Sequence, residues 1–335
     1  MFEKENIAID INSDKISILV GTKYKISNAT ILDTPEGAFI NDRIVDVNKL
    51  GEVIRAYLKK SKIKSKDVSF VLRGEDLITR HIVMPMVKEE AMRDSVDFEL
   101  RQFIGDKIDE YYFDYEVISY NKEENNGNAD VFIVAAEKDK IDEYIELGKI
   151  LNLNVKAIDI YANLLARVYK NLKPSFLRRI KSVGIISIDN DSSSITITEW
   201  GKLVLEKYQI FGMENGFDRK FKDELEYDNY INSIDLTEVK EEEELIDKYF
   251  KDLVIQFNSF IQYYTVGKVK KNLDRIFIVG AASRIRGIQQ YFEVNLNARS
   301  GNVPTFLDMK STVKVPKRIH LKDYIYCYGL LLRRG

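Results

Sequence analysis

Residues 7–20, IAIDINSDKISILV, and residues 183–200, VGIISIDNDSSSITITEW, have the same layout at the start of each half of the chain. Each begins as a run rich in β-branched residues and delivers an aspartate, Asp10 or Asp189, at its end. Each then breaks into a short polar turn, Asn12-Ser13-Asp14-Lys15 or Asn190 to Ser194, and resumes as a second apolar run. Such runs read as strands covered on at least one face, so both segments are strand–turn–strand units. A third strand follows each, at 26–32 and 203–210, and the repetition reads as an internal duplication.

Working outward, 46–60 reads as a helix with Asp46 as N-cap, because Val47, Leu50, Ile54, Tyr57 and Leu58 recur every three or four residues. A short buried strand follows at 68–72. Residues 78–158 read as a strand, a helix over 88–103 with Met92, Val96, Leu100 and Phe103 on one side, strands at 111–120 and 129–136, a helix over 137–147 and a strand at 155–158. That order suggests a self-contained α+β unit, with an exposed loop NKEENNGN between its middle strands. Tyr111, Tyr112, Phe113 and Tyr115 read as a strand packed on both faces. Asp159 then reads as the cap of a connecting helix that ends before Pro174. The second half closes with a long helix over 238–264, a strand at 275–279 entering Gly280-Ala281-Ala282, and a final helix over 322–332.

Composition narrows the function classes. The 335 residues are 45% hydrophobic and 31% charged, which supports a sizeable core and excludes a disordered chain. A net charge of −2 gives no bulk attraction to nucleic acid or anionic lipid. The single cysteine, Cys327, excludes a disulfide framework and a cysteine-based zinc site and fits a reducing compartment. His81 and His320 lack metal-site spacing, and no P-loop motif is present. With no long apolar run, the expected location is the cytosol. Glu241–Glu244 reads as a solvated helix start, and Arg178, Arg179, Lys181, Lys268, Lys270, Lys271, Arg333 and Arg334 as surface charge.

Each polar turn alone is an ordinary hairpin end. Turns of this kind can also present N–H groups and hydroxyls to phosphate, with a strand-end carboxylate on the water shell of Mg2+. The small residues of RIFIVGAASRIRGIQQYF (275–292) allow backbone to approach a ring or sugar. Taken in order, the three fragments resemble the phosphate-1, phosphate-2 and adenosine motifs of the actin-like ATPase superfamily. Two further segments, MPMVKEEAMRDSVDFELRQFIGDKIDEYYFDYEVI (84–118) and DVFIVAAEKDKIDEYIELGKILNLNVKAIDIYANLLARVY (130–169), resemble the inserted subdomain of the PilM family of type IV pilus assembly. The closing YIYCYGLLLRRG (324–335) resembles that family's terminus, and on that resemblance an amphipathic tail of the FtsA kind is not expected.

The resemblance implies an α/β actin-like fold of two duplicated ribonuclease-H-like lobes. The first would be 1–77 plus 159–181, the inserted α+β subdomain 78–158, and the second lobe 182–335. It implies ATP and Mg2+ as candidate ligands. The nucleotide contacts would be Asp10, Asn12, Ser13, Asp14, Lys15, Asp189, Asn190, Asp191, Ser192, Ser193, Gly212, Gly216, Gly280, Ala281 and Ala282, with Asp10 and Asp189 on the metal's water shell. This chain has Asn12, Asn190, Ala281 and Ala282 where relatives carry glycine, and Gly212-Met213 where they carry a glycine pair. The added side chains push backbone away from a nucleotide, so affinity is expected to fall while the fold persists. No residue declares itself as a catalytic base, and efficient ATPase activity is not expected.

The resemblance also implies a scaffold that holds the N-terminal tail of a PilN-like bitopic protein between the first lobe and the inserted subdomain, peripheral to the membrane through that partner. The candidate walls are Val68, Phe70, Leu72, Ile82, Met84, Met86, Met92, Val96 and Leu100. The alternatives are a small-molecule kinase of the same superfamily and an FtsA-like filament former.

Overall fold

A computed structural model describes residues 4–121, 127–176, 180–219, 221, 224–237, 244–266 and 272–333. The first lobe opens with β1 (Asn6–Ile11), β2 (Lys15–Thr22) and β3 (Lys25–Asp33), then a small hairpin of β4 (Phe39–Ile40) and β5 (Arg43–Ile44). Helix α1 (Val47–Lys60) begins at Asp46, whose carboxylate accepts from the Asn48 and Lys49 amides as the sequence suggests. Strand β6 (Asp67–Leu72) follows, then β7 (Ile78–Pro85), α2 (Glu89–Ile104), β8 (Tyr111–Asn121), β9 (Asn128–Glu137), α3 (Lys138–Leu151), β10 (Asn154–Ile160) and α4 (Tyr161–Lys170). The second lobe carries β11 (Ser182–Ile188), β12 (Ser193–Glu199), β13 (Lys202–Gln209), α5 (Glu224–Ser233), α6 (Glu244–Thr265), β14 (Arg275–Val279), α7 (Ile288–Asn295), β15 (Ser300–Gly301) and α8 (Ile325–Leu331).

The duplication is visible in the sheets. One runs β10-β6-β1-β2-β3 and the other β15-β14-β11-β12-β13, so corresponding strands occupy corresponding places. In both, the first three strands are antiparallel and the next two parallel. The centres of β1, β6 and β11 are buried on both faces, which is why they read as unbroken apolar runs.

Two boundaries differ from the sequence expectation. The inserted unit is not 78–158. Its sheet contains only β7, β9 and β8, covered by α2, whereas β10 pairs with β6 in the first lobe. Helix α3 also joins the first-lobe core: Tyr144 packs on Phe70 at 5.6 Å, and Leu147 and Leu151 lie in the same cluster. The second lobe does not extend to 335, because α8 buries Ile325, Cys327, Tyr328 and Leu331 among first-lobe residues. A chain contiguous in sequence is thus divided by strand pairing, which no local pattern reports.

Asp159 is not a helix cap. It lies in β10, and α4 starts from Ile160. Helices α5 and α7 escape the sequence reading, α5 because ELEYDNYINS is only weakly amphipathic. The beginning of the expected 238–264 helix, most of the acidic run 241–244, Arg178, Arg179, Lys268, Lys270, Lys271, Arg334 and most of the 121–128 loop lie outside the described residues. Among the described residues no helix is long and apolar enough to cross a membrane.

Candidate functional site

Two clefts bear on function. The first lies between the lobes, where the two polar turns face each other. Asp10 is buried at the end of β1, but its neighbour there is Arg73, the residue that follows β6. Arg73 Nη2 donates to Asp10 Oδ1 at 2.7 Å, and both side chains are almost wholly buried. The guanidinium also lies 5.0 Å from the ring centre of Tyr326 on α8. Tyr326 donates to Ser187 Oγ at 2.7 Å, and Ser187 donates to Asp189 Oδ2 at 3.0 Å. One chain of contacts therefore runs from Asp10 to Asp189 through Arg73 and Tyr326. Burial pushes the Asp189 carboxyl up to about 6, against the pull of Arg73 and with a further push from Asp191. Burial likewise raises Asp10, which Arg73 opposes. Burial alone would lower Arg73, but Asp10 and its neighbours hold it well above the ordinary arginine value.

The turns themselves touch. Ser13 Oγ donates to Asp191 Oδ2 at 2.6 Å, and Asn190 Nδ2 donates to Asp14 Oδ2 at 2.5 Å. Asn190 Oδ1 in turn accepts from the Tyr227 hydroxyl on α5. Tyr208 on β13 donates to Asp42 at 2.8 Å, and the Ile210 amide donates to Glu75 at 2.7 Å. A cavity of about 310 Å3 remains beside these contacts, and Asp14, Asp42, Asp191 and Glu214 line it. Burial raises the carboxyls of Asp14, Asp42 and Glu214, and Asp191 adds to each rise.

The other sequence-selected residues of this cleft divide. Ser192 Oγ donates to Asp191, and Ser193 is buried and accepts from Gln209 at 2.9 Å within the sheet. The Asn12 amide closes its own turn on the Lys15 carbonyl at 2.8 Å, and Asn12 Oδ1 is buried with no hydrogen-bond partner. Gly212 is pressed against the second turn: a Cβ there would stand 2.3 Å from the Asn190 carbonyl oxygen and the Ser192 nitrogen. Gly280, at φ +82°, lies against β11, where a Cβ would meet the Ile188 carbonyl at 2.6 Å and Asp189 Oδ1 at 2.7 Å. Ala281 opens the 3-10 turn that follows, and Ala282 is buried in the lobe core. Gly216 belongs elsewhere, packed against Ile246 and Tyr249 of α6. Sequence alone does not single out Arg73. Its only signal is that the apolar run of β6 enters an arginine directly.

The second cleft separates the small sheet from the first lobe, with a volume of about 840 Å3. One wall is the face of β8 and β9 away from α2. Tyr112, Asp114 and Glu116 stand opposite Ala136, Val134 and Phe132, and all six line it. Tyr112 is thus exposed to the cleft, so β8 is not packed on both faces. The other wall is β10 with Ile141, Ile145 and Lys149 of α3 and Arg167 of α4. Strand β8 ends the small sheet and β10 ends the first-lobe sheet, so each has an outer edge without a ladder partner among the described strands. At the mouth, Asp159 accepts from Arg167 at 2.8 Å and from Arg333 at 3.2 Å.

Of the nine expected walls, Leu72 alone lines this cleft. Val68 and Phe70 are buried in a strand paired on both sides. Met92, Val96 and Leu100 face the opposite side of the small sheet, in a core with Met84 and the half-buried Ile82. Met86 is exposed just past β7, the strand at the far edge from β8. The helical spacing of Met92, Val96 and Leu100 marks a buried stripe of the small-sheet core.

Among the described residues no group of three or more histidine, cysteine or acidic side chains is arranged to hold a metal ion. The model of the type IV pilus assembly protein PilM family matches residues 8–335. A solved PilM–PilN type IV pilus biogenesis complex is similar, with a TM-score of 0.80 at 16% identity, covering 99% of this chain and 98% of that one. MreB5 of Spiroplasma citri bound to ADP superposes with a TM-score of 0.53 at 9% identity, covering 98% and 95%. The ethanolamine utilization protein EutJ from Carboxydothermus hydrogenoformans gives 0.52 at 9% identity, covering 99% and 90%. The fold is that of the actin-like ATPases, and the chain belongs to the PilM family of type IV pilus assembly proteins.

Proposed function

We propose that this chain is a cytoplasmic scaffold of type IV pilus assembly that holds the N-terminal tail of a PilN-like membrane protein in the 840 Å3 cleft between β8 and β10. The observation that carries this reading is the pair of outer strand edges on opposite sides of one apolar-floored cleft. An extended tail satisfies its own amides and carbonyls against such an edge, while alternate side chains enter pockets. Leu72, Phe132, Val134, Ile141, Ile145 and Val155 supply the apolar surface. The acidic Asp114 and Glu116 sit on the β8 side, and Lys149 and Lys156 on the other. A tail with apolar residues at alternate positions and a polar character between them suits both. Ordering a flexible tail costs entropy, so a few buried anchors must supply the affinity.

In this reading the protein reaches the inner face of the membrane through its partner. The PilM–PilN complex supports the choice of partner, since its PilM chain matches nearly the full length of this one.

The test is fluorescence anisotropy with a labelled synthetic peptide copying the N-terminal tail of a PilN-like membrane protein. Val134→Asp and Ile145→Asp should each weaken binding at least about tenfold, because a charge in place of an apolar anchor is left desolvated and unpaired. Unchanged affinity in both variants would end the proposal.

A further inference from the structure

We propose that the cleft between the lobes is filled by the chain itself, with the Arg73 guanidinium standing as a built-in cation where an actin-like nucleotide site takes Mg2+ and phosphate, so that the lobes stay closed without nucleotide.

Three observations converge. First, Arg73 is seated on Asp10 at 2.7 Å with its side chain 4% exposed, so the carboxylate expected on a metal's water shell is already neutralised by an ion pair. A divalent ion beside Asp10 would have to displace a buried guanidinium or sit against it, and like charges in so dry a place repel strongly. Second, the two turns that would cradle phosphates bond to each other: Ser13 to Asp191, and Asn190 to Asp14. A phosphate entering between them must break both bonds. Third, the 310 Å3 space left beside the turns is lined by Asp14, Asp42, Asp191 and Glu214, a surface that disfavours a polyanion. The buried Asn12 Oδ1 is an acceptor, and it offers a phosphate oxygen no proton.

The residues therefore do not fit Mg-ATP, and what they do instead is hold the lobes together. Tyr208–Asp42 and the Ile210 amide on Glu75 extend the same stitching along the interface, and Thr79 of the inserted sheet on Glu206 at 2.5 Å ties that sheet to the second lobe. A nucleotide bound between two lobes stabilises a closed form by touching both. Here groups of the two lobes make such contacts with each other.

The interlobe cleft and the tail cleft share no lining residue, so a filled interlobe cleft stands or falls apart from tail binding. The test is calorimetric titration of the whole protein with Mg-ATP and Mg-ADP, together with thermal melts of wild type, Arg73→Ala and Arg73→Lys in EDTA and in Mg2+. Wild type should give no saturable heat and a melting shift below about 1 °C with about 1 mM nucleotide. Arg73→Ala, which leaves Asp10 unpaired, should melt roughly 5 °C or more lower in EDTA and regain part of that loss in Mg2+. Arg73→Lys, which keeps the charge without the fork, should fall between the two. Saturable binding of Mg-ATP to wild type, with a melting rise of about 3 °C or more, would overturn the proposal. So would wild-type melting of Arg73→Ala. Should that variant fail to fold, the wild-type titration and the melt of Arg73→Lys decide the matter.

Discussion

Asp159 and Arg167 form an ion pair 2.8 Å long at the mouth of the cleft between β8 and β10, joining the end strand of the first-lobe sheet to the helix that follows it. Arg333 reaches the same carboxylate oxygen from the C-terminal end of the chain, and Asn163 donates to the other oxygen at 3.0 Å. The carboxylate is nearly buried, so its partners are shielded from water on one side.

Removing that carboxylate leaves two guanidinium groups facing each other. Asp159→Ala should lower the unfolding free energy by about 2 kcal/mol, less than a fully buried pair because both arginines keep some solvent. Urea denaturation measures it. Arg333→Ala should cost less than half as much, since that arginine is the more exposed of the two.

Glu206 supplies a pH dependence. It is buried at the interface, where it accepts from Thr79 and from the Tyr161 hydroxyl. Burial raises its carboxyl above the ordinary 4.5, and the two hydrogen bonds only partly oppose this. For an acid with a raised native value, the stabilising contribution is complete below 4.5 and fades as pH rises through the native value. Glu206→Gln removes that dependence. Its stability relative to wild type should therefore improve steadily from pH 4.5 toward neutrality, as read from melts across that range. A difference that does not change with pH would contradict the assignment.

Gly280 is constrained by the chain itself. Its left-handed φ of +82° and its closeness to Ile188 and Asp189 leave no room for a methyl group. Gly280→Ala should cost roughly 1–3 kcal/mol in protein free of any nucleotide. If the glycine existed only to admit a ring or sugar, the free protein would keep its full stability.

Phe70 separates packing from recognition. It is buried against Tyr144, so Phe70→Ala should cost about 3–5 kcal/mol of stability. Below its melting temperature the variant should bind the tail about as wild type does, because Phe70 does not line the cleft.

What the sequence made legible was local. The β-branched runs of β1, β2, β11 and β12 and the Asp46 cap stand in the structure where pattern placed them. The duplicated lobes followed from two turns with the same layout. The cleft walls differ from expectation for a physical reason: Met92, Val96 and Leu100 recur at helical spacing because they are a core stripe, and spacing alone does not say what covers it. The walls of the 840 Å3 cleft come from β8, β9, α3 and β10, elements brought side by side as β10 leaves the inserted unit to pair with β6. Asp159 looks like a cap because an aspartate stands just before a helical pattern, yet the strand runs through it to Ile160. Arg73 carries no motif; its role appears only when β6 lies beside β1 and brings it onto Asp10.

Amide hydrogen exchange of the whole protein, with and without saturating partner tail, tests the central claim most directly. Strand addition should protect backbone amides at 111–117 on β8, at 154–160 on β10, or on both, while the opposite edge at β7 stays unchanged. Protection confined to β7 and α2, or none at either cleft edge while the tail is bound, would show that the tail sits elsewhere.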